Sequence, residues 1–189
     1  MTGKKLSEMS LAELWALFPI VLTPHRSEWA LWYTEEASAV EAMLPPDDVV
    51  RISHIGSTAV AGLWARPIVD ILVEVRPGCA MQAIKDLLIR GGFTCMSEGD
   101  DRMSFNKGYT EAGFAARVFQ LHLRYAGDND ELYFRDYLIE HPDVAQQYQA
   151  TKLSLWRQYE HDRDGYTQAK SDFIAKHTAL ARQRYGMRY

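Results

Sequence analysis

Residues 54–75 read HIGSTAVAGLWARPIVDILVEV, and the order of residue types in this stretch sets the fold. The β-branched run Val49–Ile55 predicts a strand that Gly56 ends. Ile68–Val75 is a nearly continuous apolar run, the pattern of a strand covered on both faces. Between them lie a Gly-Ser-Thr turn and a short run of small residues. Gly56 permits close approach of a ligand to the backbone, and Ser57 and Thr58 offer hydroxyl and amide groups at a predicted helix start, a setting that suits phosphate. Asp70 interrupts the second strand. A buried carboxylate is costly unless paired, so Asp70 calls for a metal, another cation, or an arginine such as Arg51, Arg66 or Arg117.

Upstream, Ser10 and Glu13 form a capping-box pattern before Leu11, Leu14, Trp15 and Phe18, which recur at helical spacing as far as Pro19. Ser27 caps a second predicted helix that carries Trp29, Trp32, Tyr33, Val40 and Leu44 inward and stops at Pro45 and Pro46. Downstream, Met81, Ile84, Leu87 and Leu88 make one helical face closed by Gly91 and Gly92. Phe93–Ser97, Met103–Lys107 and Phe114–Tyr125 read as three strands. Helices follow over Glu131–Glu140, from Val144 to about Asp162, and from about Asp164 onward. The expected fold is α+β: a mixed sheet of about five strands (49–125) between helical segments at 10–44 and 131–186, as one domain spanning 1–189.

Composition narrows the function. The 189 residues include 21 Lys and Arg against 25 Asp and Glu, a net charge of −4, which argues against a protein that coats long nucleic acid. With 47% hydrophobic and 12% aromatic residues the chain can bury a core without disulfides or metals. Cys79 and Cys95 lack metal-site spacing and read as two free thiols. Ser7, Glu8, Ser10 and Glu13 interrupt any signal-peptide core, and no stretch reaches the ~18 apolar residues of a membrane span, so the expected location is the cytoplasm.

The Gly-Ser turn followed by an acid-bearing strand resembles the nucleotidyltransferase superfamily that includes DNA polymerase β. More specifically the chain resembles the GrpB-like family within it. The resemblance rests on LFPI at 17–20, HIGSTAV at 54–60 with RPIVDILV after it, QLHL at 120–123, FRDYL and HP at 134–142, Tyr148 with Lys152, and Tyr166 with Lys170. It implies a nucleotidyltransferase-like fold and transfer of a nucleotidyl group from a nucleoside triphosphate to an acceptor hydroxyl. It further implies a divalent cofactor, Mg²⁺ or Mn²⁺, held by Asp70 and His122 with His54 nearby. The implied phosphate-binding groups are Gly56, Ser57, Thr58, Arg66, Lys152 and Lys170.

Two positions depart from the superfamily pattern. Active transferases carry carboxylates at i and i+2 of the second strand, and here the second position is Leu72; Gln120 stands where the family more often has His. These departures keep two other functions open: a catalytically inactive module that binds a nucleotide or phosphorylated metabolite, and a metal-dependent hydrolase built on Asp70 and the histidines. His54 and His122 also suit hydrogen-bonded core positions, and Lys152 and Lys170 also suit exposed helix faces.

Overall fold

In the computed structural model, which describes residues 4–189, the two strands of the opening stretch are β1 (Val49–Ile55) and β2 (Val69–Val75). The first three positions of the expected 1–189 span lie outside the described residues. β1 and β2 pair antiparallel, with Ile55 opposite Asp70 and Ser53 opposite Leu72. On the other side of β2 runs β5 (Gly113–Tyr125), parallel to it. The antiparallel β4 (Arg102–Thr110) and β3 (Thr94–Glu98) complete a mixed five-stranded sheet in the order β1-β2-β5-β4-β3. The expected α+β class is the observed one.

Side chains alternate across a strand, so the register sorts them onto two faces. Ile71, Val73, Leu121, Leu123, Met103 and Phe105 share one face. Helices α2 (Glu28–Met43) and α3 (Met81–Arg90) cover it, and Trp29, Val40, Ile84 and Leu88 close the main core there. Each such fully buried side chain contributes about 1.5–3 kcal/mol of burial. The opposite face is polar in three rows across β2, β5 and β4: Asp70–Gln120–Asn106, Leu72–His122–Ser104 and Glu74–Arg124–Arg102. Three helices, α4 (Asp130–Glu140), α5 (Pro142–Gln158) and α6 (Arg163–Tyr185), follow β5, and Leu132 of α4 seals Ile55 and Leu72 on the polar face.

Several boundaries differ from the sequence expectation. The Gly-Ser-Thr turn opens no α-helix: Ser57–Ala59 form a single 3-10 turn, and the chain then loops to β2. α5 starts at Pro142, two residues before the expected Val144, because proline at the first helical position has no amide proton to leave unpaired. α5 ends at Gln158, and Asp162 instead caps α6, its carboxylate accepting from the Gly165 amide at 2.8 Å. The capping box at Ser10 and Glu13 forms as expected and opens α1 (Leu11–Leu17), whereas the Ser27 hydroxyl makes no cap bond to α2. Among the described residues no helix is long and apolar enough to cross a membrane.

Candidate functional site

Gly56 is the pivot of the site. Its φ of +71° with ψ of −171° lies in a region that side chains disfavour, and a Cβ there would meet Asp70 Cγ at 3.0 Å. The missing side chain lets the turn sit directly against the Asp70 carboxylate. Asp70 and the turn open into a cleft of about 900 Å³, a volume suited to a small-molecule ligand.

The cations expected from the resemblance converge on this cleft. Arg66, Lys152 and Lys170 all line it with Gly56, Ser57, Thr58 and Asp70. Lys152 is 2% exposed, so the alternative of an exposed helix lysine is wrong for this residue. Its Nζ donates to Ser57 Oγ at 2.9 Å and also to the Trp64 carbonyl. Burial, with Lys170 adding repulsion, pushes the Lys152 ammonium down to about 7. Lys170 falls to about 8, mainly through burial and then through the Arg66 charge. Burial lowers Arg66 as well.

Each lysine rests on a tyrosine one helical turn earlier. Lys152 Nζ lies 4.8 Å from the Tyr148 ring centroid on α5, and Lys170 Nζ lies 4.0 Å from that of Tyr166 on α6. The i, i+4 spacing puts both members of each pair on one helix face, and the ring offers a cation some compensation for lost water. Cations held out of water this way favour an anion that restores their charge.

Asp70 has a partner that the sequence did not single out for that role. Its Oδ1 lies 3.6 Å from His122 Nε2. Two of the arginines considered as partners are engaged elsewhere, Arg51 with Glu74 at 3.4 Å and Arg117 with Glu35, and the third, Arg66, lines the cleft with Asp70. Arg124 Nη2 lies 3.4 Å from His122 Nδ1, and because a guanidinium can only donate, Nδ1 accepts and the ring proton sits on Nε2, facing Asp70. A metal at Nε2 needs that proton displaced.

His54 does not join Asp70 and His122. It is opposite Ile71 in the register and therefore projects from the other face of the sheet, whereas Asp70 shares its face with Ile55. There its ring stacks on Tyr33 at 4.7 Å and its Nε2 bonds Thr58 Oγ1 at 2.9 Å. Burial holds the imidazole down to about 4, so it is neutral. Among the described residues no three His, Cys, Asp or Glu side chains converge to hold a metal ion. The three-ligand set of Asp70, His122 and His54 is corrected on this ground, and His54 becomes a support for the turn through Thr58. Of that set, Asp70 is the carboxylate in the cleft that could take part in holding a divalent ion.

The cleft also contains groups that the sequence reading passed over. Arg163, at the start of α6, donates to Gln120 Oε1 at 3.5 Å and adds a fourth cation. Asn106 is 3% exposed and its Oδ1 has no hydrogen-bond partner; the buried Tyr166 hydroxyl has none either. Part of the lining is apolar, with Met9, Leu14 and Trp15 from the N-terminal segment and Met96 from β3. Arg163 was legible only as a helix-start residue, and Asn106 only as one polar position in a strand.

The comparisons with known proteins agree with this fold. A family model described as GrpB protein matches residues 19–180. The UPF0157 protein PA4798 of Pseudomonas aeruginosa is 36% identical over 173 residues, covering 89% of this chain and 71% of that one. Another relative, YqkA of Bacillus subtilis, is 28% identical, and this chain spans half of its length. The crystal structure of GrpB from Enterococcus faecalis superposes with a TM-score of 0.75 at 27% identity, covering 87% of this chain and 99% of that one. A remoter likeness, with a TM-score of 0.49 at 12% identity, is to the Cid1 poly(U) polymerase, over 76% of this chain and 44% of that one. By the family match and the Pseudomonas relative, this chain belongs to the GrpB family.

Proposed function

We propose that the cleft binds the phosphates of a nucleoside triphosphate or a similar small phosphorylated metabolite, and that the protein transfers the nucleotidyl group to an acceptor hydroxyl. The observation that carries this reading is the gathering of four basic side chains, Arg66, Lys152, Arg163 and Lys170, with Asp70 and Asp164 in a cleft sized for such a ligand. A cleft in which basic groups outnumber acids by four to two is suited to a polyanion. The net charge of −4 supports a small ligand over a long nucleic acid.

In this reading Arg66, Arg163 and Lys170 clamp the phosphate oxygens and stabilise charge as it moves onto the departing pyrophosphate. Asp70 would hold a divalent ion, Mg²⁺ or Mn²⁺, that supplies Lewis-acid neutralisation of the phosphates. His122 holds the Asp70 carboxylate in place, itself oriented by Arg124. Gly56 keeps the turn close enough for Ser57 to meet the ligand.

Leu72 favours a second reading, a nucleotide-binding module without turnover. It occupies the position of the second carboxylate and is fully buried against Ile55 and Leu132. One experiment separates the two. Thermal stability is measured against nucleoside triphosphates and sugar phosphates with Mg²⁺ or Mn²⁺, and pyrophosphate release is followed with a pool of acceptor metabolites for wild type and Asp70→Asn. Release that vanishes in the variant supports the transferase, and stabilisation without release supports the module. If no phosphorylated ligand stabilises the protein, both readings fall.

A further inference from the structure

Ser57 and Lys152 meet in a way that phosphate binding alone does not require. Ser57 Oγ is 2.9 Å from Lys152 Nζ, and the same Nζ is tied to the Trp64 carbonyl. A nucleophile, a base within hydrogen-bond reach, and a third group that orients the base are the elements of an activated hydroxyl, and Ser-Lys pairs are one known form. The base is 2% exposed, at the foot of the cleft that Asp70, Arg66 and Lys170 share.

We propose that Ser57 is a nucleophile toward phosphorus, with Lys152 as its general base, so that the protein forms a covalent phosphoester on Ser57. The choice of a nucleoside triphosphate as the natural phosphorus donor rests on the proposed function above; the reactivity of the dyad does not. Ser57 Oγ attacks the phosphorus while its proton passes to the neutral Lys152 amine, which becomes an ammonium. The Oγ–P bond forms as the bond from phosphorus to the bridging oxygen breaks, and pyrophosphate leaves with that electron pair. An acceptor hydroxyl then displaces Ser57: its oxygen forms the new bond to phosphorus as the Oγ–P bond breaks, its own proton passes to solvent, and the Ser57 oxygen recovers the proton held by Lys152.

A neutral amine at ordinary pH is consistent with the surroundings of Lys152. Its own helix supplies Tyr148 beneath it, α6 supplies Lys170, Arg163 and Asp164 with the Tyr166 hydroxyl, the loop before β2 supplies Arg66, and β2 supplies Asp70. With its pKa near 7, set first by burial and then by Lys170, a large fraction is free base at neutral pH. The Ser57 hydroxyl can then donate to the amine while the amine donates to the Trp64 carbonyl.

The test uses the whole chain and a fluorophosphonate, a phosphorus electrophile that owes nothing to nucleotide recognition. Intact-mass and peptide mapping should place one adduct on Ser57, absent from Ser57→Ala and at least tenfold slower in Lys152→Met. In wild type the labelling rate should rise with pH through about 7 and level off, a readout that needs no variant to fold. An absent adduct, or one whose rate ignores both pH and Lys152→Met, overturns the proposal. A parallel incubation with nucleoside triphosphates and Mn²⁺ separates the two claims. Labelling by fluorophosphonate without nucleotide stabilisation refutes the nucleotide reading and keeps the dyad, whereas nucleotide stabilisation without any adduct refutes the dyad alone.

Discussion

Replacing Lys152 with methionine should stabilise the empty protein at neutral pH while weakening its hold on anions. Met keeps most of the side-chain length and is apolar, and the site is 2% exposed. The folded-state pKa of about 7 lies well below the ordinary lysine value of 10.5. Folding therefore works against the protonated form. Below pH 7 the folded state carries the whole penalty, about 5 kcal/mol at ~1.4 kcal/mol for each tenfold loss of proton affinity. Between 7 and 10.5 the unfolded state binds more protons, so this group's contribution to stability improves as pH rises.

The variant removes that penalty. It also loses the bonds to Ser57 and the Trp64 carbonyl, a cost of about 1–3 kcal/mol. The net gain at pH 7 is about 1–3 kcal/mol, and the gap between variant and wild type should shrink by about 2 kcal/mol on going to about pH 9. Urea denaturation of both proteins at the two pH values reads it directly. A variant less stable than wild type at pH 7, or a gap that does not change with pH, refutes the idea that Lys152 is a strained, anion-seeking lysine.

Gly56→Ala should cost about 3 kcal/mol or more, since the residue must adopt a glycine-only backbone conformation and its Cβ crowds Asp70; denaturation equal to wild type would contradict the close approach of turn and carboxylate. Leu72→Asp, which restores the second superfamily acid, should lower stability by about 3–5 kcal/mol because it places a carboxylate where Ile55 and Leu132 pack. A stable, more active Leu72→Asp protein would show instead that the missing acid is a simple loss.

Much of the site was legible because its residues are close in sequence or repeat at helical spacing. Gly56, Ser57 and Asp70 lie on one strand-turn-strand unit, and the unpaired acid in an apolar run already demanded a partner. The inward placement of Lys152 and Lys170 also left a trace. Tyr148 with Lys152 and Tyr166 with Lys170 form two i, i+4 pairs, and a tyrosine under a lysine at that spacing is where a helix can bury the ammonium. What the sequence does not contain is register. Whether His54 or Ile55 faces Asp70 depends on a one-residue choice in pairing β1 with β2, and that choice reverses the face of every side chain in the strand. Arg163 and Asn106 were missed for a similar reason: α6 and β4 reach the cleft through tertiary packing, and neither residue is marked by its neighbours in sequence.

The polar face of the sheet explains why a second acid is not easily restored beside Asp70 on β2. Its first row, Asp70–Gln120–Asn106, opens into the cleft. The next row begins with Leu72, which belongs to the apolar seal that fixes α4 to the sheet. Beyond it, fully buried Glu74 is committed to Arg51 and Asn129, the latter donating at 3.0 Å. On this face of the sheet Asp70 is thus the acid that reaches the cleft, and α6 adds Asp164, while positive charge arrives from the loop before β2 and from two helices that pack later in the chain. Such a site repels a phosphate little and attracts it from several directions. If phosphorus is held there as proposed, its chemistry would depend less on a pair of metal-binding acids than on the basic groups, and the state of Lys152 becomes the decisive variable.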